Sequence, residues 1–218
     1  MQKSYVLRAG RYTTAQKNAY DSLYDKFVIP FSQDNIDFIK IFQNQKITME
    51  IGFGMGAATA QIAFDNPDMN YIGVEVHRPG IGKLLWEIEN RSLSNIRIIE
   101  YDAALVAEKM IPDESLDAVH IFFPDPWPKK RHKKRRLIQR PFTETLAKCI
   151  KHDGYLYMVT DWEDYAAQAL EELTLTKGLQ NAYEGFAPAQ SWRPPTKFER
   201  KGIAKEHAIR ELYFKKKI

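Results

Sequence analysis

The residues most suited to chemistry form one stretch, PDPWPKKRHKKRR, which runs from Pro124 to Arg136. It holds one carboxylate, Asp125, and one indole, Trp127, between prolines that fix φ and cannot donate to a sheet ladder. Seven of the eight residues in 129–136 are Lys or Arg. An acid and an aromatic ring beside a cationic track suit an enzyme that acts on a base within a nucleic acid.

Three simpler interpretations compete with this one. A charge run is commonly a solvated face or a disordered tail, a basic cluster can be a nuclear localisation signal, and a proline-rich strand end can be a plain turn. The run lies in the middle of the chain and directly follows the apolar segment 118–123, which has the character of a buried strand. This position favours the nucleic-acid interpretation over the other three.

The composition indicates one globular domain with a local excess of positive charge. The chain has 218 residues, of which 44% are hydrophobic, and this length suffices for a sizeable core. Its formal net charge is +4, and residues 129–136 alone carry seven positive charges, so the remainder of the chain is at −3. A basic patch on a nearly neutral body is the electrostatic footprint expected of a nucleic-acid-binding protein.

The sequence predicts a soluble cytoplasmic protein without a metal site. Cys149 is the single cysteine, which excludes an intrachain disulfide or a thiolate metal cluster and favours a reducing compartment. The N-terminus lacks the apolar core of a signal peptide, and no apolar stretch approaches the roughly 18 residues that a membrane span needs. Residues 1–15, with Arg8 and Arg11, are expected to form a mobile basic arm.

Strands and helices alternate from residue 47 onward, which predicts an α/β fold with a mostly parallel sheet of about seven strands and helices on both faces. Residues 1–45 are expected to supply an arm and helices that pack on a single domain, 46–218. The stretch 181–206 is interpreted as a long binding loop, and 207–215 as a final antiparallel strand that closes the sheet. The other predicted strands are 47–51, 71–76, 96–100, 116–123 and 154–159, and the predicted helices are 16–29, 34–43, 57–64, 81–89, 103–110, 137–150 and 165–177.

A glycine-rich turn, 52–56, follows the first predicted strand and precedes a helix. Glycine permits positive φ and lets backbone N–H groups approach a ligand closely. Gly52, Gly54 and Ala57 match the relaxed dinucleotide fingerprint, and a plain strand-to-helix turn is the alternative. Glu50 favours a different ligand, because a carboxylate ahead of the turn would repel a pyrophosphate but attract the cationic amino-acid end of S-adenosylmethionine.

Four acids lie at the end of a predicted strand or just after it, at the sheet edge where open α/β folds bind ligands. Glu75 is suited to accept hydrogen bonds from a ribose, which NAD and S-adenosylmethionine both contain, or it is a surface acid. Asp102 suits either the exocyclic amine of adenine or the N-cap of the next helix. Asp125 follows strand four beside the expected switch point, and Asp161, after strand five, is alternatively a helix cap.

Five segments together resemble the bacterial-type tRNA (guanine-N7-)-methyltransferases: EIGFGMG, GVEVH, FPDPWPKKRHKKRR, TDW and RPPTKFERKG. The resemblance extends from about Glu50 to Phe214, and its most specific parts are the PDPW segment and TKFERKG. It implies a Rossmann-like class I methyltransferase that uses S-adenosylmethionine and releases S-adenosylhomocysteine. It further implies methylation of N7 of the guanine at position 46, in the variable loop of tRNA.

The same resemblance implies roles for individual residues. Asp125 would be the catalytic acid and would also border the methyl-donor site, which the resemblance assigns to Glu50, Gly52, Gly54, Gly56, Glu75 and Asp102. Contacts with the substrate are implied for Lys129, Asp161, Thr196, Lys197, Phe198 and Glu199, and contacts with RNA for Arg131, His132, Lys133, Lys134, Arg135 and Arg136. Without the resemblance, residues 196–199 would be interpreted as a solvated polar tetrad.

Two other functions use part of the same sequence. An NAD-dependent oxidoreductase would account for the glycines and Glu75, but not for the cationic track. A non-catalytic RNA-binding module would account for the track and leave the acids at the strand ends unexplained. The sequence leaves open whether the protein is a monomer or a homodimer, and whether Trp127 stacks on the target base or forms a wall of its pocket.

Overall fold

The computed structural model describes residues 4–5, 12–42, 44 and 46–217. The predicted basic arm therefore lies largely outside the described residues, and so do Arg8 and Arg11. The strands are β1 (Ile47–Ile51), β2 (Asn70–Glu75), β3 (Ile96–Glu100), β4 (Leu116–Phe122), β5 (Ile150–Thr160), β6 (Leu179–Asn181) and β7 (Arg210–Lys216). The α-helices are α1 (Thr14–Phe27), α2 (Phe38–Phe42), α3 (Ala57–Asp65), α4 (Arg78–Asn90), α5 (Ala103–Lys109), α6 (Phe142–Cys149), α7 (Glu163–Thr174) and α8 (Lys197–Ile203), and Lys130–Arg135 form a 3₁₀ helix.

The seven strands form one sheet in the order β3-β2-β1-β4-β5-β7-β6. β2 pairs in parallel with β1 and β3, and β4 pairs in parallel with β5, whereas β7 runs antiparallel to both β5 and β6. The prediction of a mostly parallel seven-stranded sheet with a C-terminal antiparallel strand is therefore confirmed. However, β7 does not close the sheet, because the three-residue strand β6 pairs along its outer side.

The described residues group into two compact units. One contains 12–112 and 192–194, and the other contains 4–5, 113–191 and 195–217. We call them the glycine-turn unit and the PDPW unit after the segments that they carry. The division of the chain into an arm with packed helices and a domain from residue 46 remains a prediction.

In the glycine-turn unit, β1 to β3 are mostly apolar and largely buried, and they contribute to the core of this unit. α1 ends at Phe27, before Pro30, because Val28 leaves the helix to form a parallel bridge with Ile98. α4 begins three residues earlier than predicted and includes Pro79 in its first turn. Proline is favoured there because its missing N–H has no intrahelical partner at that position.

In the PDPW unit, two predicted boundaries were wrong. The helix predicted for 137–150 begins only at Phe142, since Pro141 occupies its N-cap position and cannot continue a helix toward its N-terminus. Residues 150–153, assigned to that helix and the following turn, instead begin β5. Ile150 pairs with Leu116 of β4, whereas β5 pairs with β7 only over 155–160.

The stretch 181–206 is more regular than predicted, because it contains α8. Thr196 and Glu199 form a capping box at the start of this helix: the Thr196 hydroxyl accepts from the Glu199 amide, and the Glu199 carboxylate accepts from the Thr196 amide. Lys130–Arg135, within the basic run, form the 3₁₀ helix. Within the part of the chain that the structure describes, no helix has the length and apolar character needed to cross a membrane.

Candidate active site

The glycine turn joins β1 to α3 in a conformation that requires glycine. The φ angles of Gly52, Gly54 and Gly56 are 73°, 59° and 69°, a region that other residues enter at a cost. The start of α4 packs against the glycine turn at Gly80, where an added Cβ would lie 1.8 Å from the carbonyl oxygen of Gly54. The packing of α4 against the glycine turn thus fixes the backbone conformation of that turn.

Glu75 is the main anchor of the glycine turn. One of its carboxylate oxygens accepts a hydrogen bond from the Gly54 amide at 2.9 Å, and the other accepts from the amides of Val76 and His77 at 2.6 and 3.0 Å. Glu75, for which the sequence suggested either a ribose contact or a surface acid, therefore fixes the backbone of the glycine turn. This coupling between β2 and the turn has no signal in the sequence beyond the spacing of the two motifs.

Glu50 lies in β1 and is only 3% exposed, so it is not the open carboxylate that its position ahead of the turn suggested. Burial raises the pKa of Glu50 to about 8, and the nearby negative charge of Glu75 acts in the same direction. At pH 7 the group is therefore mostly protonated. A cation placed beside it would favour the ionised form and lower its pKa again.

Asp102 caps α5, as one of its two interpretations proposed. Its Oδ1 accepts hydrogen bonds from the amides of Ala104 and Leu105 at 2.9 and 3.3 Å. Directly before it, Tyr101 is 39% exposed and stacks on Phe31, with ring centroids 3.8 Å apart and planes 12° from parallel. Sequence reasoning missed this aromatic pair, because Phe31 and Tyr101 lie on separate segments.

The PDPW segment forms a strained loop at the end of β4. Asp125 is exposed, and the non-glycine residues on either side of it, Phe123 and Trp127, have positive φ angles of 49° and 45°. Such conformations persist only where surrounding contacts hold them, and they are common at functional sites. The Trp127 indole N–H donates to the carbonyl of Ser4 at 3.0 Å, and the guanidinium of Arg135 lies 5.0 Å from its ring.

The register of β4 and β5 brings the two acid-bearing loops to neighbouring strand ends. Phe122 is paired with Val159, and the amide of Phe123 donates to the carbonyl of Val159 at 2.8 Å. Asp125 and Asp161 follow these two ends directly. The sheet of the PDPW unit therefore places both candidate acids on the same edge, as the sequence predicted.

Asp161 lies against α8. An added Cβ at Gly202 would be 2.9 Å from the Cβ of Asp161 and 3.0 Å from its Oδ2, so only glycine permits this approach. His207, just after α8, places its Nδ1 3.6 Å from the same Oδ2. Phe198 is 59% exposed, and the centroid of its ring lies 6.4 Å from that of Phe123. Gly202, His207 and Phe123 were missed, although Gly202 ends the TKFERKG segment.

The basic run does not present all its cations to solvent. Arg136 is 1% exposed, so its expected contact with RNA does not fit its position in the structure. Lys133 is partly covered and pairs with Asp164 at 2.7 Å. The other RNA candidates, Arg131, His132, Lys134 and Arg135, are exposed or partly exposed, as is Lys129.

The sheet order and the glycine turn between its first strand and helix define the chain as a protein with a methyltransferase fold. Among solved structures, the 16S rRNA methyltransferase KamB aligns over 97% of this chain and 97% of its own, with a TM-score of 0.57 and 12% identity. The antibiotic-resistance methyltransferase Kmr aligns over 81% of this chain and 89% of its own, with a TM-score of 0.57 and 14% identity. At these identities the likeness concerns the fold alone.

Comparison of the sequence identifies the family. A family model described as "Putative methyltransferase" matches residues 44–212. The tRNA (guanine-N(7)-)-methyltransferase of Nitrosomonas eutropha is 49% identical over 98% of this chain and 96% of its own length. The protein of the same name from Burkholderia mallei is 50% identical over 99% of this chain and 82% of its own. The chain belongs to the tRNA (guanine-N(7)-)-methyltransferase family, which confirms the resemblance in its motifs.

Proposed function

We propose that this chain transfers the methyl group of S-adenosylmethionine to N7 of the guanine at position 46 in the variable loop of tRNA, releasing S-adenosylhomocysteine. The observation that carries the proposal is the identity of about half of all residues with tRNA (guanine-N(7)-)-methyltransferases over nearly the whole chain. The methyltransferase fold and the cationic helix beside the PDPW loop support it. A tRNA substrate would also agree with the expected cytoplasmic location.

The reaction requires no removal of a proton before the base attacks. N7 of guanine carries a lone pair and no proton, so it can attack the methyl carbon directly. The bond between that carbon and sulfur breaks, and its electron pair returns to the sulfur. The sulfonium becomes neutral while the guanine becomes cationic, so the enzyme must align the three atoms and stabilise positive charge on the base.

The glycine-turn unit is the proposed site of the methyl donor. The fixed turn at 52–56 would face the amino-acid end, Glu50 would pair with its ammonium group, and Glu75 would accept hydrogen bonds from the ribose. Asp102 would accept a hydrogen bond from the adenine amine, and the exposed ring of Tyr101 would offer a flat surface to the purine. No metal has a part in this scheme.

The PDPW unit is the proposed site of the guanine. Asp125 would be the catalytic residue, since an exposed carboxylate on a fixed loop can accept hydrogen bonds from the base and stabilise its developing charge. Asp161, Lys129 and the start of α8 with Thr196, Lys197, Phe198 and Glu199 would contact the substrate. The target base must leave its stack to be reached, and the exposed Phe198 ring offers a surface on which an unstacked base can rest.

The 3₁₀ helix would bind the phosphate backbone of the tRNA. Arg131 and Lys134 are exposed, and exposed cations that replace counterions around phosphates supply affinity without reading the sequence. Neither rival function accounts for this combination: an NAD-dependent oxidoreductase has no need of the cations, and a simple RNA-binding module has no need of the glycine turn. The relatives favour neither of them.

A methyl-transfer assay tests the proposal directly. The protein would be incubated with radiolabelled S-adenosylmethionine and unmodified tRNA, with a matched tRNA that has adenine at position 46 as the control. Label should enter the first tRNA alone, and nucleoside analysis should find it in 7-methylguanosine. Equal labelling of both tRNAs would refute the proposed position, and no labelling of either would refute the activity.

A further inference from the structure

The basic run divides into rows because it is a 3₁₀ helix. With three residues per turn, side chains three apart lie above one another on the same face. Lys130, Lys133 and Arg136 form one row, in which Lys130 is exposed while Lys133 and Arg136 contact the carboxylate of Asp164. Arg131 and Lys134 form an exposed row. His132 and Arg135 form a third row against the ring of Trp127, at 5.9 and 5.0 Å.

Arg136 is the most deeply buried member of the run, and its guanidinium has partners on every side. Its Nε donates to the carbonyl of Pro126 at 2.8 Å, Nη1 to the amide oxygen of Gln168 at 2.5 Å, and Nη2 to Asp164 at 2.5 Å. The ring of Tyr165 lies 4.8 Å from its central carbon. A planar fork with several donors suits this arrangement, and the single ammonium of a lysine does not.

From this geometry we propose that Arg136 is a positioning residue that sets the place of Asp125 and does not bind RNA. The carbonyl that it holds belongs to Pro126, the residue directly after Asp125, within a loop whose backbone is strained at Phe123 and Trp127. A strained loop keeps its conformation only where contacts fix it. The guanidinium supplies such a contact on one side of Asp125.

The same guanidinium ties this loop to the second candidate acid. Asp164 and Gln168 lie in the first two turns of α7, which begins two residues after Asp161. Arg136 therefore links the loop of Asp125 to the helix that follows Asp161. The inference rests on the proposed function, because the alignment of these two acids matters only if they act on one base, and in such reactions a displacement of about 1 Å can cost on the order of a hundredfold in rate.

Two substitutions separate positioning from RNA binding. Arg136→Lys keeps the positive charge and loses the fork, so we expect single-turnover methylation under saturating donor and tRNA to slow by at least about tenfold, within the range that misplacement produces. Arg136→Gln removes the charge, and we expect it to leave the salt dependence of tRNA binding unchanged. Arg131→Gln, the matched change in the exposed row, should reduce the log–log salt slope by about 0.7 to 0.9.

A third variant alters a partner of Arg136 in α7 and leaves Arg136 itself unchanged. Gln168→Met removes one acceptor without altering the basic run, so it should slow methylation by a smaller factor with unchanged tRNA affinity. Because it leaves Arg136 in place, this variant still tests the positioning role if a substitution at Arg136 fails to fold, which thermal melting would reveal. The proposal is overturned if Arg136→Lys and Gln168→Met methylate at the wild-type rate, or if Arg136→Gln flattens the salt slope as Arg131→Gln does.

The two readouts also separate this inference from the proposed function. If the wild-type protein binds tRNA but transfers no methyl group, the proposed function fails, and the salt slopes still decide whether Arg136 contacts RNA. If the wild type is active and both Arg136→Lys and Gln168→Met are equally active, the positioning role fails while the proposed function stands.

Discussion

At the scale of single residues, Glu50 is buried, although its proposed pairing with an ammonium group requires an ionised carboxylate. Because burial raises its pKa to about 8, the free protein holds a proton there at pH 7. If the ammonium group of S-adenosylmethionine binds beside it, the carboxyl should ionise and release that proton. Buried acids of this kind are typical of functional sites, although purely structural cases also occur.

We therefore predict that binding of S-adenosylmethionine at pH 7 releases up to about one proton, since a group with its pKa near 8 is then mostly protonated. Calorimetry in buffers of different ionisation enthalpy measures this number as the slope of the observed heat. Glu50→Gln is the control, because it keeps the shape and cannot titrate, and the slope should fall toward zero. An identical slope in the variant would mean that the proton comes from another group.

The same raised pKa has a consequence for stability. An acid whose pKa is higher in the folded than in the unfolded state binds more protons when folded, so stability falls as the pH rises between the two values. For Glu50 this window extends from the ordinary value of 4.5 to about 8. We expect the melting temperature of the free protein to decline across this window, and the decline to be smaller in Glu50→Gln.

Asp125 is the residue on which the chemistry is proposed to depend. Asp125→Asn is nearly isosteric and lies at an exposed position, so folding should be preserved. The variant loses the negative charge opposite the developing cation, and loss of one such electrostatic partner costs about a hundredfold in rate. We predict a decrease of that order in single-turnover methylation, with some loss of donor affinity.

The control for this change is Asp113→Asn, which removes an exposed carboxylate from the turn before β4. Its rate should match that of the wild type. Should Asp125→Asn methylate tRNA at the wild-type rate under saturating donor and tRNA, Asp125 would not be catalytic, and Asp161 would be the next residue to test.

At the scale of elements, α8 provides a test that separates the stability of the helix from the activity of the enzyme. Alanine is favoured over glycine in a helix by about 1 kcal/mol, so Gly202→Ala should not weaken α8 itself. The added Cβ would stand 2.9 Å from the Cβ of Asp161, which is too close for both to stay in place. We predict a higher KM for tRNA and slower methylation without loss of secondary structure by circular dichroism.

Ile203→Ala is the matched control, since it changes the adjacent, 60% exposed residue of the same helix without approaching Asp161. If both variants retain wild-type kinetics, the close packing of α8 on Asp161 has no part in substrate binding.

At the scale of the whole molecule, the sequence predicted the parts of the fold that repeat a simple pattern. β1 to β3 are nearly continuous apolar runs, and such runs between helices specify a parallel sheet. β6 and α8 were not predicted, because β6 has only three residues and α8 follows two prolines in a polar stretch. For the site, the spacing of the motifs along the chain located the glycine turn and Asp125. The different roles of Arg135 and Arg136 could not be located in this way, because they depend on the face of the 3₁₀ helix that each residue occupies and on Asp164, 28 residues beyond Arg136.

The distribution of charge over the molecule leads to the last prediction. If tRNA affinity depends on the exposed cations of the 3₁₀ helix and not on net charge, its salt dependence should change when charges are removed from this helix. It should not change when the same number of charges is removed elsewhere. A triple variant with Lys130, Arg131 and Lys134 changed to Gln lowers the net charge from +4 to +1. We predict that its log–log salt slope for tRNA binding falls by about 2 to 3, at 0.7 to 0.9 for each lost phosphate contact.

The matched triple variant changes Lys109, Lys148 and Lys177 to Gln. It has the same net charge of +1, but its substitutions lie at the C-terminal ends of α5 and α6 and just after α7. Its salt slope should stay near that of the wild type, and both variants should bind S-adenosylmethionine normally. Fluorescence anisotropy with labelled tRNA across a series of salt concentrations measures both slopes. Equal flattening in the two variants would show that tRNA binding follows the net charge of the molecule, and the 3₁₀ helix would then be a solvated surface with no special part in recognition.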